Sequence, residues 1–422
     1  MSRRLLVLAY FFPPLAGGGV HRVLSFARHL PEQGWDVTVV CAGEDDYWVR
    51  DESLLASVPA ATEVIRVAAG GGLASCFGLR GGRGTRRGGT FAGLRKLSDW
   101  WLLPDAYAGW ARRAQAAAAT RLAAGGVDAL LTTSPPDSVH LAGAALARRF
   151  GVAWVADFRD PWVGLRFREP PTAWHRARHE AMERRVLSQA DLVLAASRTH
   201  LEQVATLARR AEHLPNGFEP EAGGPPEAAD ADRFRLAFTG TLSLMEDAGT
   251  LLEAVHDVLA GDTGMRRRLR VDLAGPYDLD YEDRSLALGL KGIVRFPGAL
   301  PHAGSRRLQR AADVLLLWKP RGGGYRTMVP GKLYEYLDSG RPIVALLPER
   351  DEAAELVRRA GGTVLPPGDR AALARELETR YTHWMHDGRA PDDRPGWLDE
   401  HARPRLAARL AGLLGGLGGG RT

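Results

Sequence analysis

Lysine is scarce in this chain. Of the 56 Lys and Arg residues only four are lysine (Lys96, Lys291, Lys319 and Lys332), so arginine is the default cation. Cysteine is scarcer still. Cys41 and Cys76 are the whole complement, which excludes a disulfide framework and a cysteine metal cluster, and the expected compartment is a reducing cytoplasm. Long apolar runs are missing too, and nothing approaches the roughly 18 consecutive apolar residues of a membrane-spanning helix. The opening "MSRRLLVLAYFFPPLAGGG" stops its apolar run at Pro-Pro without a small-residue cleavage site, so it reads as a first strand and not as a signal peptide.

A net charge of +6 and a pI near 9.5 raise the question of nucleic acid. The charge is mostly spread along helices as Arg-Arg pairs beside acidic residues, with no RRM, zinc-finger or basic-zipper signature, so no nucleic-acid partner is expected. The one concentrated patch is "GLRGGRGTRRGGTFAGLRKLSDWW" (78–101), which reads as a surface loop or as a contact of the basic-plus-aromatic kind with an anionic membrane. The second reading would place the protein peripherally on the inner face of a membrane.

At 422 residues the chain exceeds one ordinary core, and two domains are expected. "RLLVLAY" is a short continuous apolar run, as in a strand buried on both faces. "GGGVHRVLSFARHLPEQG" has helical spacing at Val20, Leu24, Ala27 and Leu30, and "WDVTVVCAG" is a second strand. The alternation recurs with "VDALLTTS" (127–134), a helix over 138–150, "VAWVADF" (152–158), a helix near 172–189 and "ADLVLAAS" (190–197). A Pro-, Gly- and Asp-rich stretch at 213–233 reads as the interdomain linker. A second series follows in "FRLAFTG" (234–240), "LRVDLAG" (269–275), "GIVRFPG" (292–298), "ADVLLLW" (312–318), "RPIVALL" (341–347) and "GGTVLPP" (361–367). The fold class is therefore α/β, with two Rossmann-like, doubly wound domains facing a cleft. The first spans 1–212, the second 234–385, and 386–422 is an amphipathic stretch with a disordered tail.

Three constellations carry chemistry. "PPLAGGGVHR" (13–22) joins the first strand to its helix, where glycines allow close approach and a helix N-terminus favours an anion. It is not a dinucleotide fingerprint, because the third glycine would fall at Arg22, and no P-loop occurs anywhere. "VADFRDPW" (155–162) crowds Asp157, Arg159 and Asp160 at a strand tip, either as a capped turn or as substrate contacts over the cleft, and "SPPDS" (134–138) forms the neighbouring wall. In "GYRTMVPGKLYEYLDSGRP" (324–342) Pro330 and Gly331 open a helix, and Lys332 puts a cation in its first turn. That conflict with the helix dipole is resolved by an anion such as a phosphate, while Glu335 on the same face could accept from a ribose diol. An exposed Lys–Glu pair is the bland alternative. "DLD" (278–280) reads as helix capping, so no metal is expected.

The Gly-rich first loop, "LPNG", "AFTGTL", "VRFPGALPH" and "PGKLYEYLDSGRPIV" fall in the order seen in the family 4 glycosyltransferases of the GT-B fold, which the chain resembles over nearly its whole length. "SPPDSVHLAGAALARRFGVAWVADFRDPW" is similar to a branch found in bacterial polysaccharide and natural-product gene sets. The resemblance implies transfer of a sugar from a nucleotide-diphosphate donor, with retention and without a cofactor, to a glycan, lipid-linked or small-molecule acceptor. It implies that Gly18, Gly19, Gly240, Thr241, Lys319, Arg326, Lys332 and Glu335 bind the nucleotide sugar. Arg159, Asp160 and Lys332 would be catalytic, and His21 and Asp137 would lie on the acceptor side. It also implies that the final amphipathic stretch returns to the first domain. Two departures are plain: the first glutamate of the family's pair is replaced by Thr327, and "GTLSLMEDAG" after Gly240 holds no cation. A GT-B sugar-nucleotide epimerase and a non-catalytic nucleotide-sugar-binding protein remain open alternatives.

Overall fold

The computed structural model describes residues 2–44, 50–68, 100–163, 170–220, 232–242, 246–277, 279–321 and 323–417. Two sheets organise them, and their neighbouring strands pair in parallel. The first contains β1 (Arg3–Leu8), β2 (Trp35–Ala42), β3 (Glu63–Val67), β4 (Ala129–Ser134), β5 (Ala153–Phe158), β6 (Leu192–Ala195) and β7 (Ala211–His213), in the order β3-β2-β1-β4-β5-β6-β7. The second contains β8 (Phe234–Thr239), β9 (Leu269–Ala274), β10 (Val294–Gly298), β11 (Val314–Trp318), β12 (Ile343–Leu346) and β13 (Thr363–Leu365), in the order β10-β9-β8-β11-β12-β13.

Each order reverses once, between β1 and β4 and between β8 and β11. These are two Rossmann-like, doubly wound domains, and ligands of such sheets bind beyond the strand C-termini at the reversal. The alternation of apolar runs and helical spacing therefore reads the architecture correctly. It misses β3 and β7. β3 is a half-buried edge strand and β7 has three partly exposed residues, so neither carries a continuous apolar run.

The central strands are buried along most of their length, β4 along all of it. One face of the first sheet packs Leu6, Leu8, Trp110 and Trp154; the other packs Leu5, Val7, Phe26 and Trp35. The chain closes that second face with its own end. After the helix Arg370–Asp387 and a short 3-10 turn, Gly396–His401, the helix Arg403–Gly415 buries Leu406, Ala407, Leu410, Ala411 and Leu414 in the same cluster as Val23, Phe26 and Leu30.

The two passages between the domains run side by side. Phe218 N–H donates to His401 O at 3.3 Å, and Arg403 N–H to Phe218 O at 3.0 Å. Gly217 has to be glycine here, since a Cβ would strike the His401 carbonyl. Among the described residues no helix is long and apolar enough to cross a membrane.

Leu410 is fully buried against the first domain. Leu410→Ala should cost about 2–5 kcal/mol and lower the melting temperature of the whole protein. An unchanged melting curve would show that the helix is an appendage and not part of that core.

Candidate active site

The first-domain wall is built on a buried ion pair. Arg22, on the opening helix Gly18–His29, donates from Nε and Nη2 to the two carboxylate oxygens of Asp157 at 2.9 and 2.7 Å. Thr133 adds a hydroxyl donor at 2.8 Å. Two further Arg22 protons go to Pro215 O and Leu214 O, at 2.8 and 2.9 Å. Asp157 is therefore a structural anchor, and the crowding at the β5 tip serves two purposes.

Arg159 faces the other way. Its Nε donates to Ser134 O at 2.7 Å and its Nη2 to Pro135 O at 2.9 Å, which sets the guanidinium against Gly19. Any Cβ at Gly19 would collide with that group. Gly18 has open space above it, and Asp160 is half-buried beside Arg159. A cation thus sits at the N-terminal end of the opening helix, where the dipole favours negative charge.

The second-domain wall repeats the arrangement. Lys332 lies in the first turn of the helix Gly331–Asp338, with Nζ 3.5 Å above the ring centre of Phe238 and against Gly240. A methyl group at Gly240 would lie 2.9 Å from Nζ, and φ of 128° there is one that side chains rarely adopt. Burial pulls the Lys332 ammonium down to about 7, with Glu335 opposing weakly. Thr241 follows on the exposed side of the loop.

Glu335 is buried and held on both oxygens. His302 Nε2 meets Oε1 at 2.9 Å, and Gln309 Nε2 donates to Oε2 at 3.2 Å while also reaching Thr239 Oγ1 at 3.0 Å. Arg306 donates to Glu335 O at 2.6 Å and pairs with Asp338. Burial alone would raise the Glu335 carboxyl. The hydrogen bond and charge of His302, with Arg306 and His21, outweigh it and hold the group well below the usual carboxylate range. The bland reading of an exposed Lys332–Glu335 pair is wrong on geometry, because neither side chain is exposed.

Several expected residues fall elsewhere. Lys319 is engaged by the protein itself: its Nζ is buried, pairs with Asp351 at 2.6 Å and donates to Tyr325 O and Met328 O at 2.7 and 2.8 Å. The two carbonyl bonds brace the loop before Lys332, and the Asp351 carboxylate balances the charge. Arg326 is exposed on that loop, and Thr327 is buried with its carbonyl accepting from Ser197 Oγ of the first domain at 2.5 Å. His21 packs against His302 with ring centres 4.2 Å apart and the planes tilted by 40°, which puts it beside Glu335. Asp137 is buried at the start of the helix Ser138–Phe150, whose first N–H is bonded by Asp105 Oδ2 at 2.8 Å.

His302, Arg306 and Gln309 were not singled out, although their spacing of i, i+4, i+7 puts three polar groups on one helix face. Asp278 lies outside the described residues; Asp280 is exposed in the first turn of its helix. Residues 78–99 of the basic stretch also lie outside. Trp100 and Trp101 are 51% and 82% exposed, and Trp174 of the first domain is 59% exposed.

Residues 17–217 match the family described as "Glycosyl transferase 4-like domain", and residues 233–383 the family described as "Glycosyl transferases group 1". No curated protein sequence matches the chain. Among solved structures it is similar to a sucrose-phosphate synthase from Thermosynechococcus elongatus, with TM-score 0.63, 16% identity and 98% of each chain covered. WaaG, a glycosyltransferase involved in lipopolysaccharide biosynthesis, aligns with TM-score 0.61 and 16% identity over 98% of this chain and 100% of its own. HepE from Anabaena, solved in complex with UDP-glucose, gives TM-score 0.65 and 14% identity over 98% and 99%. At these identities the structural likeness speaks for the fold.

Proposed function

The chain belongs to the family 4 glycosyltransferases of the GT-B fold, and from that premise we propose that its nucleotide-diphosphate sugar lies between the Gly240 loop and the helix Gly331–Asp338. The observation that carries this reading is Lys332, a cation at a helix start, half-buried, seated on Phe238 and Gly240 and forming no ion pair among the described residues. A diphosphate reconciles that cation with the helix dipole. Glu335, rigid and ionised, would take the ribose diol.

As the glycosidic bond breaks, negative charge grows on the departing diphosphate. Lys332 and the N–H groups of its helix meet that charge as it forms, and a metal ion has no part in this proposal. Arg159 would approach the transferred sugar from the first domain, with Asp160 beside it, and transfer would retain anomeric configuration. We assign the acceptor to the first domain, near Gly18 and Asp137, in bacterial polysaccharide, glycolipid or natural-product assembly. The exposed Trp100, Trp101 and Trp174 favour an acceptor carried on a lipid surface. Co-sedimentation with anionic vesicles reads that directly; full recovery in the supernatant would refute it.

The primary test is a nucleotide-release screen with UDP-, GDP- and dTDP-sugars and candidate acceptors, run with and without EDTA. Release that needs an acceptor and survives EDTA is expected. Epimer formation from sugar nucleotide alone, binding without release, or release restored only by magnesium would each overturn part of the reading.

Lys332 also fixes a pH dependence. With its ammonium at about 7 in the free protein, a bound diphosphate draws a proton onto it. Nucleoside diphosphate affinity should therefore fall about fifteenfold from pH 7 to 8.5, and Lys332→Met should bind weakly with no such slope. A flat wild-type profile would remove Lys332 from the phosphate site.

A further inference from the structure

His302 stands where the two domains meet. Its Nε2 must carry the proton shared with Glu335, because an ionised carboxylate can only accept. Its ring lies against His21 of the first domain. Its backbone N–H donates at 2.8 Å to Asp51 Oδ2, also of the first domain. The helix His302–Ala311 has Pro301 at its N-cap with no side-chain hydrogen bond, so Asp51 supplies across the seam the capping acceptor that the local sequence lacks. The exchange is reciprocal. Glu352 of the second domain accepts from Arg198 N and Thr199 N, at 2.8 and 3.2 Å, at the start of the first-domain helix Arg198–Ala205.

Glu335 lacks the partner glutamate of its family, since Thr327 stands there with its carbonyl bonded to the first domain. Its direction is therefore set by His302 and Gln309. His302 is in turn set by His21 and Asp51. Separating the domains removes the ring and the cap from His302 together, so its bond to Glu335 loses both supports from the first domain.

We propose that His302 is a positioning residue that makes the grip on the nucleotide depend on contact between the two domains. The inference rests on the reading of Glu335 as the ribose ligand. Linkage then runs both ways: domain contact tightens nucleotide binding, and bound nucleotide strengthens domain contact.

The test is calorimetry on the full-length protein with UDP, GDP and dTDP, using the tightest binder, and with melting temperatures recorded for every variant. His21→Ala lies in the opposite domain and should weaken binding about fivefold or more. His302→Gln keeps an N–H donor and should retain more affinity than His302→Ala. The double variant His21→Ala/His302→Ala should bind no more weakly than His302→Ala alone, because His21 acts through His302. If His302→Ala fails to fold, the same comparison is made between His21→Ala, His302→Gln and their combination. Wild-type binding by His21→Ala, or simple addition of the two effects, would overturn the coupling. Glu335→Gln separates the two levels of the account. Weak binding by that variant leaves the ribose reading standing whatever His21 does, and wild-type binding refutes the reading and the inference together.

Discussion

The guanidinium of Arg22 ties the loops of the first domain to the chain's passage into the second. It joins the opening helix to Asp157 at the end of β5 and to the carbonyls of Leu214 and Pro215, just before the chain crosses. Its neighbour His21 is thereby aimed across the seam at His302, and His302 at Glu335. A buried pair of this kind adds little net stability, because desolvation offsets the attraction, yet removing one partner leaves a buried charge uncompensated. Its value here is geometric. The position where a dinucleotide fold would place a third glycine holds instead the residue that orients the site.

Around that anchor the two domains present similar ends. Each offers a glycine-bearing loop after its first strand and a cation at a helix start, Arg159 by Gly19 and Lys332 by Gly240. Neither cation suits the dipole beside it, and both are held in place by packing or carbonyl contacts. In the proposed complex an anionic ligand resolves this electrostatic conflict. The scarcity of lysine fits the same logic. An arginine at 332 would resist deprotonation on burial, whereas burial brings the lysine ammonium over Phe238 down to about 7.

Much of this was legible in the sequence, for identifiable reasons. Doubly buried parallel strands give continuous apolar runs, so β1, β4, β8 and β11 stand out, while the short edge strands β3 and β7 do not. The glycine loops and Lys332 were visible because each breaks a local preference that only a ligand or close packing explains. Lys319 breaks a composition rule as well, but its partner Asp351 lies a strand and a helix away, so its bracing role is a tertiary fact. The same holds for Asp105 on the helix start at Ser138 and Asp51 on that at His302. His302 stood inside a quoted motif and could have been found from its helical spacing to Arg306 and Gln309; its contact with His21 could not.

The central claim is that one nucleoside diphosphate joins these groups, and a crystal structure of the protein with the diphosphate that binds it tests this most directly. The account predicts phosphate oxygens within hydrogen-bonding reach of Lys332 Nζ and the Gly240 loop, with both ribose hydroxyls on Glu335. A nucleotide bound elsewhere, with Lys332 still resting on Phe238 and Glu335 bonded only to His302 and Gln309, would contradict it.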